Sequence, residues 1–250
     1  MTVYKHMSHS LTGGPGRLCN QVIRNVAASI MSKKFDLYTL YYRQETINKL
    51  GIILHIGNNR YNSTVIIKND NFIDYLKNDV SNHNINVQHD YFQTEEITNL
   101  VCAYLRSDEQ KVSVINANPF KTRYNNNDDL FIHIRLGDVE RENPGITYYR
   151  KCIEKVLIRT TIYIGTDSPA HPLIKQLVLL YNDVIVVDYD ETQTIQFGST
   201  CSNVILSHGS YSGVIGYLSY YAKNIYYPGE NRKNGWCPRG MFTDKGWYGC

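Results

Sequence analysis

One stretch decides the fold and the chemistry of this chain: Leu130-Phe131-Ile132-His133-Ile134-Arg135-Leu136-Gly137-Asp138. Its apolar run predicts a buried strand, and the period of two puts His133 and Arg135 on the same face of that strand. A guanidinium is costly to bury alone, so an anion should meet it, and its fork of donors fits a phosphate. Gly137 then lets the chain turn where a ligand can approach the backbone. A phosphate-bearing substrate such as a nucleotide-sugar is the first hypothesis, and an Arg–Asp ion pair that holds the end of the sheet together is the alternative.

The bulk composition predicts a globular protein with one large domain or two small ones. The chain has 250 residues, of which 42% are hydrophobic, and a net charge of +3. Because this charge is mild, nucleic-acid binding has no support from composition. No apolar stretch approaches the roughly 20 residues of a membrane span, and residues 1–11 lack the apolar core of a signal peptide. We therefore expect a soluble protein that starts in the cytoplasm.

Six cysteines are scattered along the chain: Cys19, Cys102, Cys152, Cys201, Cys237 and Cys250. None of them forms a C-x-x-C pair, which argues against a zinc site or a redox motif. Cys237 and Cys250 flank a glycine-rich tail and could pair, although free thiols fit a reducing compartment better.

Short apolar strands alternate with helices in the second half of the chain. The predicted strands are 130–135, 161–164, 183–187, 204–206 and 225–227, and the predicted helices lie near 148–157, 171–180 and 211–222. This alternation predicts an α/β fold whose parallel sheet is covered on both faces. The first half predicts mixed helix and strand, and the Asn-rich segment 124–129 is the clearest linker. We place the domains at 1–125 and 126–228, with a tail, 229–250, that is expected to pack back on the N-terminal domain.

Polar side chains gather where the predicted strands of the second half end. In parallel sheets, ligands bind beyond the carboxyl ends of the strands. His133 with Arg135, Asp167, and the stretch 207–212 all fall at such ends. Hydroxyl groups in that last stretch and the first turn of the following helix form an anion cradle. This predicts a single site in the second domain. The plainer alternatives are an N-cap by Ser210 and a turn or cap by Asp167.

A glycine loop, Gly13-Gly14-Pro15-Gly16, leads into the first helix, which Arg17, Asn20 and Gln21 begin. Such a loop exposes backbone N–H groups and the positive end of a helix dipole. It is not a Walker loop, because no Gly-Lys-Ser/Thr follows, and Cys19 stands where a dinucleotide fingerprint needs a third glycine. The alternative is a simple turn before a helix.

Three blocks of the sequence resemble, in order and content, the α-1,2-fucosyltransferases of glycosyltransferase family 11. They are more distantly similar to the superfamily of α-1,6- and protein O-fucosyltransferases. The blocks are Gly16-Arg17-Leu18-Cys19-Asn20-Gln21, His133-Ile134-Arg135-Leu136-Gly137-Asp138 and Ser207-His208-Gly209-Ser210-Tyr211-Ser212. Cys19 replaces the family's usual glycine, and Gly213 and Val214 stand where the family tends to have two tryptophans. The resemblance implies a GT-B architecture, in which two Rossmann-like domains face a cleft, the N-terminal one on the acceptor side and the C-terminal one binding the donor. For that architecture 250 residues is short, which leaves open a trimmed N-terminal domain.

The resemblance also implies an inverting, metal-independent glycosyltransferase that moves L-fucose from GDP-fucose to a hydroxyl of a glycan acceptor, with no cofactor. Arg135 would hold the donor β-phosphate, and His133 and Asp138 would organise the site. The matching blocks also imply donor contacts at Arg17, Asn20, Gln21, Ser210, Tyr211 and Ser212, and we further expect Gly14, Gly16, Asp167, Ser207, His208 and Gly209 to line the donor site. The base would be Asp138, ahead of Glu140 and Asp167, because carboxylates near the site can accept a proton.

The missing tryptophans leave two alternatives open, a donor that carries xylose or rhamnose and an inactive relative that only holds a nucleotide or a glycan. Golgi fucosyltransferases carry a membrane anchor, and this sequence lacks one. We therefore expect a bacterial enzyme, or a viral one that acts in the cytoplasm of its host, or a shortened form of a longer enzyme.

Overall fold

The computed structural model describes residues 3–5, 9–229, 239–243 and 245–250. The chain divides into two compact units between Val114 and Ile115. This division lies before the predicted domain boundary at residue 125, and it falls inside one helix, Asp108–Ala117. No helix in the described ranges is both long enough and apolar enough to cross a membrane.

The first unit is a five-stranded sheet with helices between its strands. Its strands are β1 (Val3–Lys5), β2 (Ser10–Leu11), β3 (Thr39–Leu40), β4 (Ser63–Ile66) and β5 (Asn84–Asn86), and its helices are α1 (Leu18–Phe35), α2 (Gln44–Lys49), α3 (Phe72–Lys77), α4 (Glu95–Leu105) and α5 (Asp108–Ala117), the last of which continues into the second unit. The order across the sheet is β1-β4-β5-β2-β3, and only β1 runs antiparallel to its neighbour. The predicted helix after the glycine loop is confirmed, and its apolar residues Leu18, Val22 and Val26 are fully buried.

The second unit is a six-stranded sheet in which every pair of neighbours is parallel. Its strands are β6 (Leu130–Ile134), β7 (Ile162–Thr166), β8 (Val184–Val186), β9 (Asn203–Ile205), β10 (Asn224–Tyr227) and β11 (Tyr248–Gly249), and its helices are α6 (Ile146–Lys155), α7 (Pro172–Leu180), α8 (Glu191–Gly198) and α9 (Ser210–Leu218). Short 3₁₀ turns lie at Lys121–Arg123, Gly137–Glu142 and Arg239–Met241. The parallel α/β class and the five predicted strands of the second half are confirmed.

The strand order gives the second unit its topology. From one edge to the other the strands run β8-β7-β6-β9-β10-β11. Counted along the chain from β6, this is the order 3-2-1-4-5-6 of the doubly wound nucleotide-binding sheet. The chain therefore leaves β6 toward one side of the sheet and returns at β9 to the other side. The second unit is Rossmann-like, whereas the arrangement of two domains across a cleft stays a prediction.

Strand β6 is buried on both faces, as its apolar sequence predicts. Its even-numbered residues join the main hydrophobic core, and its odd-numbered residues face α8 and α9, because Phe131 meets Phe197 and His133 meets Tyr211. The core cluster consists of Leu130, Ile132, Ile134, Leu136, Tyr148, Tyr149, Cys152, Ile153, Val156, Ile162, Ile164, Ile174, Leu177, Ile205 and Tyr226.

The described part of the tail belongs to the second unit. Tyr248 and Gly249 form β11, which pairs with β10 at Tyr226 and Tyr227. The predicted packing of the tail on the N-terminal domain stays a prediction. No two of the described cysteines form a disulfide, and Cys237 lies outside the described residues, so the predicted option of a Cys237–Cys250 pair stays open.

Candidate functional site

The predicted site residues of the second unit converge where β6 and β9 lie side by side. In doubly wound sheets, the crevice for the ligand opens at the carboxyl ends of the two strands between which the strand order reverses. Here these strands are β6 and β9, which pair from Leu130 and Asn203 to Ile132 and Ile205. His133 and Arg135 lie at the carboxyl end of β6, and the stretch 207–212 follows β9 directly. The topology thus brings the second and third sequence blocks to one edge.

His133 is buried in a small polar network beneath this edge. Its Nδ1 atom lies 2.6 Å from the Ser212 hydroxyl, and the same hydroxyl accepts a hydrogen bond of 2.9 Å from the backbone N–H of Ser207. The Tyr211 ring packs on the imidazole with centroids 4.8 Å apart. Burial, and then the charge of Arg135, lowers the pKa of His133 to about 3. The imidazole is therefore neutral near pH 7, and it fastens β6 to the first turn of α9.

Arg135 is held by two carboxylates. Its Nη1 donates to Asp167 and its Nη2 donates to Asp138, and 17% of its side chain is exposed. The two partners differ, because the Asp138 side chain is 58% exposed whereas Asp167 is 29% exposed and also accepts a 3.0 Å bond from the backbone N–H of Leu136. The Arg–Asp ion pair that was the alternative to a phosphate contact is thus present, with two aspartates in place of one. The phosphate contact itself stays a prediction.

The turn after β6 is built around Arg135 as well. Gly137 has a φ of +40°, and a Cβ added there would lie 2.7 Å from the Asp167 carboxylate, so a side chain at this position would push into the ion pair. Asn143 donates to the carbonyl of Arg135 at 2.7 Å and to the Tyr149 hydroxyl at 3.0 Å. Sequence reasoning missed Asn143 and Tyr149, and the turn signal of Asn143-Pro144-Gly145 was the one cue to them.

The loop after β9 differs in one respect from its prediction. Ser210 was the expected N-cap of α9, but the N-cap is Gly209, with a φ of 91°, and Ser210 is the first helical residue. Ser207 and His208 are buried, and the Tyr149 hydroxyl donates to Ser207 at 3.3 Å. The Tyr211 hydroxyl donates to the Glu191 carbonyl at 2.6 Å, which ties the start of α9 to the start of α8. The positive end of the α9 dipole therefore points toward the same edge as Arg135.

Met241 and Trp247 of the C-terminal segment pack against α9. A Cβ at Gly213 would lie 2.8 Å from Met241, and a Cβ at Gly216 would lie 2.4 Å from Trp247. Tyr217 donates from its hydroxyl to the Met241 carbonyl at 2.8 Å, and its ring lies 5.7 Å from that of Trp247. Gly213 takes one of the two positions where the resembled family has tryptophan. A large side chain there would require Met241, whose terminal methyl group lies 2.8 Å from the added Cβ, to move.

The glycine loop of the first unit is organised from inside. Gln21 donates to the carbonyls of Gly14, Pro15 and Gly16 at 3.0, 3.2 and 3.0 Å, and it is fully buried. Arg24 lies beneath the loop, also fully buried, and donates to the Gln21 side chain at 2.9 Å and to Pro15 at 3.0 Å. Gln21 was expected to contact the donor directly. In the structure its amide bonds within the loop, so Gln21 holds the loop in shape, and its contact with the donor stays a prediction.

The other residues of the first block are placed at the surface of this loop. Arg17 and the backbone of Gly14 and Gly16 are exposed, and both glycines have positive φ, 140° and 104°. Asn20 is half-buried and accepts a 2.7 Å bond from Gln93. Their donor contacts stay predictions. Sequence reasoning missed Arg24, although a lone arginine within the apolar part of a helix was a visible signal.

Among the residues that the structure describes, no three His, Cys, Asp or Glu side chains group closely enough to hold a metal ion. Whether the chain needs a metal stays a matter of prediction.

Comparison with known proteins gives similarity at the level of solved structures only. No family model matches the chain, and no curated protein does. The chain is similar to a structure of NodZ α-1,6-fucosyltransferase soaked with GDP-fucose, with a TM-score of 0.39, 15% identity and coverage of 63% of this chain. It is also similar to the fucosyltransferase NodZ from Bradyrhizobium (TM-score 0.40, 14% identity) and to NodZ α-1,6-fucosyltransferase co-crystallised with GDP (TM-score 0.40, 15% identity), each likewise over 63% of this chain. The match spans 58% of the length of each of these structures. At this level of identity and superposition, the likeness assigns neither an activity nor a substrate to this chain.

Proposed function

We propose that this chain is a glycosyltransferase that binds the diphosphate of a nucleotide-sugar at the carboxyl edge of the second unit's sheet. One observation carries the proposal: Arg135 on β6 and the N-terminus of α9 after β9 flank the point where the strand order reverses. A guanidinium and the positive end of a helix dipole both favour an anion, and this crevice is where doubly wound sheets hold nucleotides.

The donor and the reaction follow from the sequence blocks. Their resemblance to fucosyltransferases supports GDP-fucose as the donor, a glycan hydroxyl as the acceptor and inversion at the transferred carbon. In such a transfer the bond between the sugar and the diphosphate breaks, and the diphosphate gains negative charge as it leaves. Arg135 and the α9 dipole would stabilise that charge, which is often the largest contribution to catalysis. A carboxylate would take the proton of the acceptor hydroxyl.

The two aspartates on Arg135 fit this proposal if they play different roles. Asp167 is anchored by the backbone N–H of Leu136, so it stays and orients the guanidinium. Asp138 is the more exposed partner, so an incoming diphosphate displaces it from Nη2 at a small cost in free energy. The displaced carboxylate can then accept a proton beside the donor, which makes Asp138 our choice for the base.

We expect guanine nucleotides to stabilise the protein against heat. A ligand at 100 times its Kd adds about 2.7 kcal/mol to the free energy of unfolding, which corresponds to a rise in Tm of roughly 5–10 °C at this chain length. The measurement is a thermal-shift panel of GDP, UDP, GDP-fucose and the nucleotide-sugars of xylose and rhamnose. A response to UDP alone contradicts the assigned donor, and no response to any nucleotide contradicts the proposal.

We expect Asp138→Asn to bind GDP more tightly than the wild type while it transfers less sugar. The variant removes the carboxylate that competes for Arg135, and because Asp138 is largely exposed the gain should be on the order of 1 kcal/mol or less, a few-fold in Kd. Loss of the base should lower the turnover by about 10²-fold or more. Calorimetric titration with GDP and a donor-consumption assay measure the two effects. Asp167→Asn is the control, since loss of the anchored partner should not tighten binding, and weaker GDP binding by Asp138→Asn would overturn the displacement.

A second candidate is a relative that binds a nucleotide or a glycan without transferring sugar. The double ion pair on Arg135 favours it, because a guanidinium already neutralised by two carboxylates stabilises the charge that develops on a leaving diphosphate less well. It is distinguished by product analysis: GDP binding with neither transfer nor donor hydrolysis supports the second candidate and excludes the first.

A further inference from the structure

Two cysteines and a lysine meet at the outer side of the second unit. Cys152 lies in α6 and is fully buried, whereas Cys250 follows β11 directly and is half-buried. Cys250 packs against the core cluster to which Cys152 belongs, and burial and then the neighbouring Cys250 sulfur raise the pKa of the Cys152 thiol. The ammonium group of Lys155, one helical turn after Cys152, lies 3.3 Å from the Cys250 sulfur.

The backbone holds both cysteines in place. The N–H of Cys250 donates to the Tyr227 carbonyl at 3.0 Å, and the Cys250 carbonyl accepts a 3.0 Å bond from Gly229, so the residue is fixed to the end of β10. Cys152 is fixed by α6, which packs on β9. The two thiols therefore meet between elements that are already ordered, and little chain entropy remains to be lost when they join.

We propose that Cys152 and Cys250 form a reversible disulfide that fastens the C-terminal strand to α6. The oxidant is a low-molecular-weight disulfide such as oxidised glutathione. The Cys250 thiolate attacks one sulfur of the oxidant and releases one thiol, and the Cys152 thiolate then attacks the mixed disulfide at Cys250 and releases the second. Two protein thiols are oxidised, one disulfide is reduced to two thiols, and the two protons pass to the released thiolates.

The order of these steps follows from the surroundings of the two sulfurs. Cys250 is the more accessible of the two sulfurs, and the ammonium group of Lys155 lies beside it, where a cation assists attack by a thiol. Burial raises the pKa of Cys152, so this cysteine reacts second, once the mixed disulfide stands beside it. The bond would also retain the segment that contacts α9, because Met241 and Trp247 lie between β10 and Cys250 in the chain.

Peptide mapping of the whole protein in a glutathione series, under non-reducing conditions, tests the proposal. We expect a linked pair of peptides that contain Cys152 and Cys250, a mass lower by two hydrogens, and a Tm on the order of 5 °C above that of the reduced protein, since the bond closes a long loop. Lys155→Met should slow the oxidation several-fold without preventing it. Cys152→Ser should stop at the mixed disulfide on Cys250, while Cys102→Ser, a buried cysteine of the first unit, should behave as the wild type.

Three results would overturn the proposal. They are a Cys237–Cys250 link in place of the expected one, a mixed disulfide at Cys250 of the wild type that never resolves, and a Cys152–Cys250 link that leaves the Tm unchanged. None of these depends on a sugar-transfer assay, so the proposal stands or fails independently of the proposed function.

Discussion

Replacing Arg135 with alanine is expected to lower sugar transfer by at least about 10²-fold while the second unit stays folded. The loss arises because charge develops on the leaving diphosphate and the guanidinium lies at the carboxyl end of β6, beside β9. Loss of one such preorganised donor commonly costs about 3 kcal/mol of transition-state stabilisation. The fold is expected to survive because 17% of the Arg135 side chain is exposed and Asp167 keeps its bond to the backbone of Leu136.

An arginine of the same turn, Arg141, provides the control for Arg135→Ala. Arg141 lies in the 3₁₀ turn Gly137–Glu142, its side chain is 88% exposed, and it contacts Glu142 at 3.7 Å. Arg141→Ala removes the same charge a few residues away, so it should keep nearly full turnover. Donor consumption and GDP affinity are measured for both variants, and circular dichroism checks the fold. Near-normal turnover in folded Arg135→Ala would show that the arginine only ties the sheet end together.

Much of the second unit could be predicted from its sequence, because its strands are short apolar runs bounded by turns. Strand β6 is the plainest case, because four of its five residues are apolar and the run lies between the Asn-rich segment and Gly137. Helix α8 was missed, although Asp190 and Gln193 form a capping box at its start, a signal that is written in the sequence. Strand β11 has only two residues and forms by pairing with the edge of β10. No local sequence pattern can predict a pairing of this kind.

That the candidate residues of the second unit gather at one edge of the sheet could be predicted, but their contacts could not. The i,i+3 spacing of Arg135 and Asp138 makes their ion pair visible in the sequence. The second partner, Asp167, depends on the pairing of β6 with β7, which sets Ile134 opposite Thr166. The bond between His133 and Ser212 joins residues 79 positions apart and requires the reversal of strand order at β6 and β9. Topology, and not local preference, selects these partners.

The stability of the second unit is expected to fall as the pH drops from 7.5 to 5, and His133 is expected to cause about 2 kcal/mol of that fall. In the folded chain the pKa of His133 is lowered to about 3 by burial and by Arg135, whereas an unfolded histidine titrates near its ordinary value of about 6.5. As the pH falls through 6.5, His133 binds a proton in the unfolded chain but stays neutral in the folded chain. Protonation therefore favours unfolding. This contribution is fully present above the unfolded value and is lost progressively as the pH approaches 3.

His133→Gln isolates this effect, because glutamine keeps hydrogen-bonding groups near Ser212 but does not titrate. Residues 1–114 contain no tryptophan and Trp247 lies in the second unit, so urea unfolding followed by tryptophan fluorescence reports on this unit. Between pH 7.5 and 5 the variant should lose about 2 kcal/mol less than the wild type, whatever its stability at pH 7.5. Ser212→Ala is the matched control: it removes the hydroxyl that lies 2.6 Å from the imidazole but leaves the histidine buried, so it should retain the pH dependence of the wild type. If the wild type and His133→Gln lose equal stability over this interval, His133 is not the neutral group that joins β6 to α9, and the network at the candidate site has to be assigned anew.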